Sequence, residues 1–130
     1  MRRRELLANS LLVLIAMALP TSAGAQESSE PRSFEDALAA GPVVVHVFAS
    51  WCPVCKAQKP ILAALATDQA LAGVRFVTVD FDKDRQFLRT YRVGNQSVIL
   101  VFKNGQEAAR LIGITDAENI RASLLGALKN

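Results

Sequence analysis

From residue 33 onward, the pattern of apolar and polar positions changes repeatedly between strand-like and helix-like spacing. Four stretches are short, contain β-branched residues and lie close to turn-forming residues, which is typical of strands. The first of them, Val43–Phe48, is almost wholly apolar and therefore predicts a strand that is buried on both faces. Asn104-Gly105, between the last two, is a favoured two-residue hairpin turn. The predicted strands are Val43–Phe48, Val74–Asp80, Val98–Phe102 and Gln106–Ile112.

Helical spacing fills the intervals between these strands. Pro53 suits the first position of a helix, where its missing N–H has no partner to lose. One apolar face of that helix is predicted from residues three or four apart, Val54, Ala57, Ile61 and Leu65. Three further helices are predicted: Phe34–Ala40 after a Ser33 cap, Asp84–Arg92, and a terminal helix opened by a capping box over Thr115–Glu118. This order of elements predicts a single α/β domain with a central sheet.

The first 25 residues have the pattern of an export signal. Three arginines follow Met1, Leu11–Leu19 is an unbroken apolar stretch, and Ala23-Gly24-Ala25 fits a small-residue cleavage site. An uncleaved membrane anchor is the alternative, although the apolar stretch is shorter than the roughly 20 residues that a spanning helix needs. The predicted organisation is a cleaved signal peptide over residues 1–25, a flexible leader over 26–32 and a domain over 33–130. The protein is therefore expected to be exported, and periplasmic if the organism is bacterial.

Charge gives no reason to expect a nucleic-acid partner. The 130-residue chain has 15 basic and 12 acidic residues, a formal net charge of +3. Removing residues 1–25 leaves 12 basic and 11 acidic residues, a net charge of +1. The excess of positive charge thus belongs mostly to the signal, and no basic stripe remains in the domain.

The two cysteines are the candidate chemistry. Cys52 and Cys55, the only cysteines in the chain, lie two residues apart between the first predicted strand and the following helix. Unpaired N–H groups and the helix dipole stabilise an anion at that position, so we expect a lowered pKa at Cys52. Cys55 is one helical turn further on the same face, close enough to form a disulfide with Cys52. The pair predicts thiol–disulfide exchange, in which Cys52 attacks and Cys55 resolves the mixed disulfide.

In that context Trp51-Cys52-Pro53-Val54-Cys55-Lys56 resembles the active site of the thioredoxin family. The likeness continues through Pro60, Tyr91–Val93, Val101–Gly105 and Gly113, and so covers nearly everything after residue 33. The resemblance implies a thioredoxin-like fold, a single domain with a central mixed sheet flanked by helices. It also implies a monomer that acts on protein disulfides without a small-molecule cofactor. Electrons would come from a membrane protein or another thioredoxin-like donor.

Two positions depart from the family pattern. His46 stands where thioredoxin has a buried aspartate that relays protons to the resolving cysteine. An imidazole is able to deprotonate Cys55 near neutral pH, and the alternative is a core histidine with one hydrogen bond. Ser97 stands where the family has a cis-proline facing the cysteines. We expect the Gln96–Ser97 bond to be trans, because a cis bond before a non-proline residue costs about 3–4 kcal/mol. Ser97 either offers its N–H and hydroxyl to the substrate or is a loop variant without consequence.

The neighbours of the thiols refine the prediction. Trp51 either shields the thiol pair as part of the substrate-facing surface or is an ordinary half-buried aromatic residue. Pro53 and Val54 cannot stabilise a Cys52 thiolate through a side-chain hydrogen bond or a charge. The pair is therefore predicted to be moderately reducing, which favours a reductase or isomerase over an oxidase.

Two other classes of function remain as alternatives. Cys52 and Cys55 are soft ligands of the kind that bind copper or zinc. With at most one distant histidine they make an incomplete set, so no metal is assigned. A redox-silent binding module is disfavoured because both cysteines are present in a reactive context.

Overall fold

The structure is a computed structural model that describes residues 31–129. Four strands and four helices, together with a 3₁₀ turn at Gln69–Leu71, follow the predicted order. The helices are α1 (Pro31–Ala40), α2 (Pro53–Leu65), α3 (Arg85–Thr90) and α4 (Ala117–Lys129). The strands are β1 (Val43–Phe48), β2 (Arg75–Asp80), β3 (Val98–Lys103) and β4 (Gln106–Ile112).

The four strands form one mixed sheet in the order β2-β1-β3-β4. β1 runs parallel to β2 and antiparallel to β3, and β3 forms an antiparallel hairpin with β4. The parallel pair needs a crossover, which α2 supplies, whereas the tight Asn104-Gly105 turn is enough for the hairpin. The prediction of a single thioredoxin-like α/β domain with a central mixed sheet is confirmed.

Helices cover both faces of β1, as its continuous apolar sequence predicts. Odd-numbered residues of β1 pack with aromatic side chains on the face shared with α1 and α3. Even-numbered residues face α2 and α4. The first cluster includes Val43, Val45, Val47, Phe34, Phe87 and Phe102, and the second includes Val44, Leu62, Ile99, Val101, Ile120 and Leu124. His46 is the one polar residue of β1, and it lies on the α2 face.

Three helix starts differ from the predictions. α1 begins at Pro31, two residues before the expected Ser33 cap, so Pro31 and Arg32 belong to its first turn rather than to the leader. α3 is shorter than predicted at both ends. At α4 the cap is Asp116 instead of Thr115, because Oδ1 of Asp116 accepts the backbone N–H of Asn119 at 2.7 Å. Aspartate is among the strongest N-cap residues, which explains the shift by one position.

The buried face of α2 is also displaced by one position from the predicted face. Val54 and Ile61 are only partly buried and Ala57 is exposed. The side chains that face the sheet are Cys55, Gln58, Leu62 and Leu65. Apolar spacing alone was misleading here because the buried face contains a glutamine.

Candidate active site

Cys52 caps the helix that follows β1. It has extended backbone angles (φ −94°, ψ 116°), and its Sγ accepts the backbone N–H of Cys55 at 3.3 Å. Pro53 occupies the first position of α2, as predicted, and offers no competing N–H there. The residue is 3% exposed, so its sulfur lies just below the surface. Cys52 therefore sits where the helix terminus favours a thiolate.

Ser97 joins the two thiols. Its Oγ lies 3.0 Å from the sulfur of Cys52 and 3.2 Å from the sulfur of Cys55. A hydroxyl has one proton, so it donates to one sulfur while it accepts from the other. With Cys52 ionised, the charge-assisted arrangement runs from the Cys55 S–H to Oγ of Ser97, and from the Ser97 O–H to the Cys52 thiolate. In that arrangement the one hydroxyl stabilises the Cys52 thiolate and also accepts the hydrogen bond of the Cys55 thiol.

The pKa of the Cys52 thiol is lowered from its ordinary value of 9.0 to about 7. Burial raises this pKa, but the hydrogen bond from Ser97 and the backbone N–H of Cys55 lower it by more. Part of the thiol is consequently ionised at neutral pH. The lowered pKa of Cys52 comes mainly from these two donors, with smaller contributions from the Cys55 thiol and the backbone N–H of Val54, and not from the side chains of Pro53 and Val54.

Cys55 is fully buried, with 0% of its surface exposed. Its sulfur lies 3.8 Å from the carbonyl oxygen of Val47, at the end of β1. Both cysteines are free thiols here. Cys52 is therefore the sulfur nearer the surface, and Cys55 is the deeper one, placed to attack a mixed disulfide on Cys52.

The backbone of Ser97 is occupied by the protein itself. Its peptide bond with Gln96 is trans, as expected. Its N–H donates to the carbonyl of Val47 at 3.0 Å, and its carbonyl accepts the N–H of Gly113 at 3.0 Å. The expectation that the Ser97 N–H is offered to substrate is thus not met, because that donor completes the β1–β3 ladder. The Ser97 hydroxyl, and not its N–H, is the group that hydrogen-bonds to the thiols.

His46 bonds to a side chain of α2 rather than to a cysteine. Its Nε2 lies 3.0 Å from Oε1 of Gln58, and its ring packs edge-on against Phe48 with centroids 5.7 Å apart. Burial lowers the pKa of His46 below 6.5, and the charge of Lys59 lowers it further, against the hydrogen bond with Gln58. His46 is accordingly neutral near pH 7. This placement matches the core-histidine interpretation of the sequence.

Trp51 is 56% exposed and lies beside the thiols. Its Nε1 donates to Oδ2 of Asp82 at 2.9 Å, and its ring contacts Phe81 at a centroid distance of 6.5 Å. Phe81 and Val54 in turn pack against the two cysteines. The indole is thus held at the rim of the site with more than half of its surface exposed, which fits a substrate-facing surface.

Gln58 is the site residue that sequence analysis missed. It is fully buried on α2, three residues after Cys55 and four before Leu62. Its spacing from Cys55 and Leu62 places it on the same face of the helix, but the apolar face predicted from Val54, Ala57 and Ile61 left it out. Its amide contacts both departures from the family pattern, His46 and Ser97.

The arrangement suits exchange between thiols and disulfides: one ionisable sulfur just below the surface, one fully buried resolving sulfur and a hydroxyl between them. Over residues 31–129, no group of three or more histidine, cysteine or acidic side chains is placed to hold a metal ion. The copper or zinc alternative therefore receives no support from the described part of the chain.

Comparison with known proteins agrees with this geometry. The family model described as Thioredoxin matches residues 26–125. Thioredoxin of Chlamydia trachomatis is 34% identical over 89 residues, which cover 68% of this chain and 85% of the relative. The structure of Trxlp from Edwardsiella tarda has a TM-score of 0.70 and 38% identity, covering 72% of this chain and 92% of that one. Malassezia sympodialis thioredoxin has a TM-score of 0.70 and 25% identity, with coverage of 77% and 89%.

The matches and the site define a thioredoxin-fold thiol–disulfide oxidoreductase. The chain belongs to the thioredoxin family, and protein disulfides are the substrates on which that family acts.

Proposed function

We propose that this protein is an extracytoplasmic thiol–disulfide oxidoreductase that reduces or isomerises protein disulfides. The observation that carries the proposal is the position of Cys52. Its sulfur caps α2 and lies 3.0 Å from the hydroxyl of Ser97, and both contacts stabilise a thiolate. The fully buried Cys55, which resolves the mixed disulfide, is one helical turn away.

The first step is attack by the Cys52 thiolate on one sulfur of the substrate disulfide. A bond forms between Cys52 and that sulfur, the substrate S–S bond breaks, and the other substrate sulfur leaves as a thiolate. The negative charge at Cys52 disappears in this step. The Ser97 hydroxyl then no longer has an anion to stabilise at Cys52 and is free to turn toward Cys55, 3.2 Å away.

In the second step Cys55 attacks Cys52. The proton of Cys55 is transferred to the substrate thiolate released first. A bond forms between Cys55 and Cys52, the bond between Cys52 and the substrate breaks, and the second substrate sulfur leaves as a thiolate. Two electrons have then passed from the protein to the substrate. Donation from Ser97 to the nascent Cys55 thiolate supports this step in the same way that it supports Cys52 in the first.

The reducing direction is supported by the strength of thiolate stabilisation. A strongly stabilised thiolate makes the disulfide form a strong oxidant, because the reduced protein is favoured. Active-site pKa values are about 7 in thioredoxin and about 3.5 in a strong disulfide donor. The pKa of about 7 at Cys52 belongs with the former group.

An oxidising compartment is supported by the signal-like residues 1–25. Within residues 31–129, none of the helices combines the length and the apolar character that a membrane span requires. A reductase in such a compartment needs a supply of electrons, and a membrane protein or a second thioredoxin-like protein is the proposed donor.

The reduction potential tests the direction. We expect a value close to the about −270 mV of thioredoxin rather than the about −120 mV of a strong oxidant. Equilibration with dithiothreitol or glutathione buffers, read by alkylation and mass, measures it. A potential near the oxidant value would overturn the reductase and isomerase proposal.

Substrates and location are tested together by trapping. A Cys55→Ser variant expressed with residues 1–130 should retain substrates as mixed disulfides on Cys52, because the resolving thiol is missing. The Cys52→Ser variant is the matched control and should retain none. Recovery of mature chains that begin at Gln26, with exported proteins attached, is the expected result. Trapping of cytoplasmic proteins alone would contradict the proposed location.

A further inference from the structure

The side-chain amide of Gln58 uses all of its hydrogen-bonding groups inside the protein. Nε2 donates to the carbonyl of Ser97 at 3.1 Å and to the carbonyl of Ile114 at 2.9 Å. Oε1 faces Nε2 of His46 at 3.0 Å. The residue is fully buried, where an unpaired amide group is strongly disfavoured. Loss of one of these three bonds would therefore destabilise the other two.

The orientation of this amide has only one solution. The carbonyl oxygens of Ser97 and Ile114 can only accept, so the amide nitrogen must face them and the amide oxygen must face His46. An oxygen at that position requires a donor, so Nε2 of His46 carries its ring proton. The imidazole is thereby assigned as the neutral Nε2–H tautomer, which cannot remove a proton through that nitrogen.

Ser97 needs support from its surroundings. Its φ of 65° lies in the left-handed region, which a serine rarely adopts. Such a conformation persists where neighbouring contacts determine it. Three hydrogen bonds hold its backbone: one to Val47, one from Gly113, and one from the side chain of Gln58 to the Ser97 carbonyl. The conformation of this one residue sets where its hydroxyl lies.

We propose that Gln58 is a positioning residue for the thiol pair: by holding the carbonyl of Ser97 it places the Ser97 hydroxyl between the sulfurs of Cys52 and Cys55. His46 acts as the donor that fixes the far end of the amide. This inference deepens the proposed function, on which it rests, because it names the residues outside the Cys-Pro-Val-Cys segment that control thiol reactivity.

The test is a double-mutant cycle on the titration of Cys52. Gln58→Leu keeps an inward side chain of similar size but removes the amide. We expect the midpoint of the pH profile of iodoacetamide alkylation to rise by about one pH unit, as for loss of a hydrogen bond to a charged group. In a Ser97→Ala background the same substitution should have no further effect, since the hydroxyl through which Gln58 acts is absent. An equal rise in both backgrounds, or no rise in either, would overturn the proposal.

Leu62→Met is the matched control. It lies one turn along the same buried face of α2 and perturbs packing without touching the hydrogen bonds. Its alkylation midpoint should stay at the wild-type value. A rise equal to that of Gln58→Leu would show that any disturbance of α2 moves the thiol pKa, and the positioning role would be lost.

A measurement on the unaltered protein keeps the test independent of variant folding. Nitrogen-15 chemical shifts of the His46 ring in the reduced protein should report the Nε2–H tautomer near pH 7. An Nδ1–H tautomer would require the Gln58 amide to face the other way and would refute the proposal. Neither readout involves a substrate. Failure of the wild-type protein to reduce insulin would therefore count against the proposed function and leave the role of Gln58 standing.

Discussion

Position 97 is a serine in this chain and a proline in the family pattern, so the chain has hydrogen-bond donors there in place of a rigid ring. A proline at this position has no N–H and no hydroxyl, whereas Ser97 gives its N–H to Val47 and its hydroxyl to the sulfurs. The charge on Cys52 is consequently stabilised from two sides, by the N–H of Cys55 at the helix start and by Ser97 across the site.

Ser97→Ala should make Cys52 less acidic. Hydrogen bonds to charged groups contribute about 1.5–3 kcal/mol, and one pH unit corresponds to about 1.4 kcal/mol, so the pKa should rise by about one unit or more. Thiolate absorbance at 240 nm, followed against pH in the reduced protein, measures the change. Ser123→Ala is the control, because the Ser123 hydroxyl donates to the side chain of Asn119 on the exposed surface of α4. A titration midpoint that stays near 7 would refute the role given to the hydroxyl.

At His46 and Ser97 the sequence showed which residue types are unusual, but it did not show which groups they contact. It identified His46 and Ser97 as unusual because the family pattern was available for comparison. It could not connect them, since the connection passes through Gln58, 12 residues from His46 and 39 from Ser97. A buried amide has no periodic signal of its own, and only tertiary packing reveals which groups satisfy it.

Helix α3 ends in a pattern of backbone hydrogen bonds around a left-handed residue. The N–H of Val93 bonds to the carbonyl of Leu88 at 2.8 Å, the N–H of Arg92 reaches the carbonyl of Arg89 at 3.4 Å, and Arg92 has a φ of 53°. These are the bonds and the left-handed residue of a Schellman motif. Val93 and Leu88 belong to the same buried cluster, which supplies the hydrophobic contact that accompanies the motif. Arginine occupies a position that usually favours glycine.

Arg92→Gly should therefore stabilise the protein. A residue with a side chain in the left-handed conformation costs roughly 1–2 kcal/mol, which glycine avoids. Glycine also makes the unfolded chain more flexible, and this offsets part of the gain in stability. We expect a net gain of about 0.5–1 kcal/mol in the free energy of unfolding, measured by urea denaturation. Arg92→Ala removes the same charge without relieving the backbone and should give no such gain. Equal stability of the two variants would show that the arginine backbone is not strained.

On α2 the pattern of apolar residues predicted the helix but not its orientation. Hydrophobic spacing placed Val54, Ala57 and Ile61 inward, whereas the structure turns Cys55, Gln58 and Leu62 toward the sheet. The two faces are adjacent, and both include Leu65. The choice between them follows from bringing Cys55 beneath Cys52 and from satisfying Gln58, neither of which enters a count of apolar positions.

At the scale of the whole molecule, three chain segments meet at one end of the sheet. β1 ends next to the start of β3, with Val47 opposite Val98, and β4 ends beside that same position. The loop after β1 brings the cysteines, the residue before β3 is Ser97, and the residues after β4 supply Gly113 and Ile114. The strands and their hairpin were predictable from local sequence. The convergence depends on strand order, which here came from the family resemblance.

The lowered pKa of Cys52 links stability to pH in the reduced protein. The unfolded thiol titrates near its ordinary value of 9.0 and the folded one near 7, so between these values the unfolded state binds more protons. Stability must then rise from pH 7 to pH 9, and the contribution is lost as the pH falls through 7. The oxidised protein has no thiol to ionise and should lack this rise. Urea midpoints at pH 6.5 and 9 for both redox forms measure the difference.

Three other groups with shifted pKa values act outside this interval. The backbone N–H of Ala70 and the side chain of Arg121 lower the pKa of Asp68 from 3.8, so its effect lies in strongly acidic solution. The pKa of His46 is lowered from 6.5, so its effect lies in more acidic solution, and the pKa of Tyr91 is raised from 10.0 by burial, so its effect lies above that value. The reduced Cys52→Ala variant isolates the contribution of the thiol and should show the flatter profile of the oxidised protein. If reduced wild type and Cys52→Ala gained stability equally between pH 7 and 9, the ionised sulfur would not be the group that folding stabilises. The electrostatic account of the site would then fail at its first step.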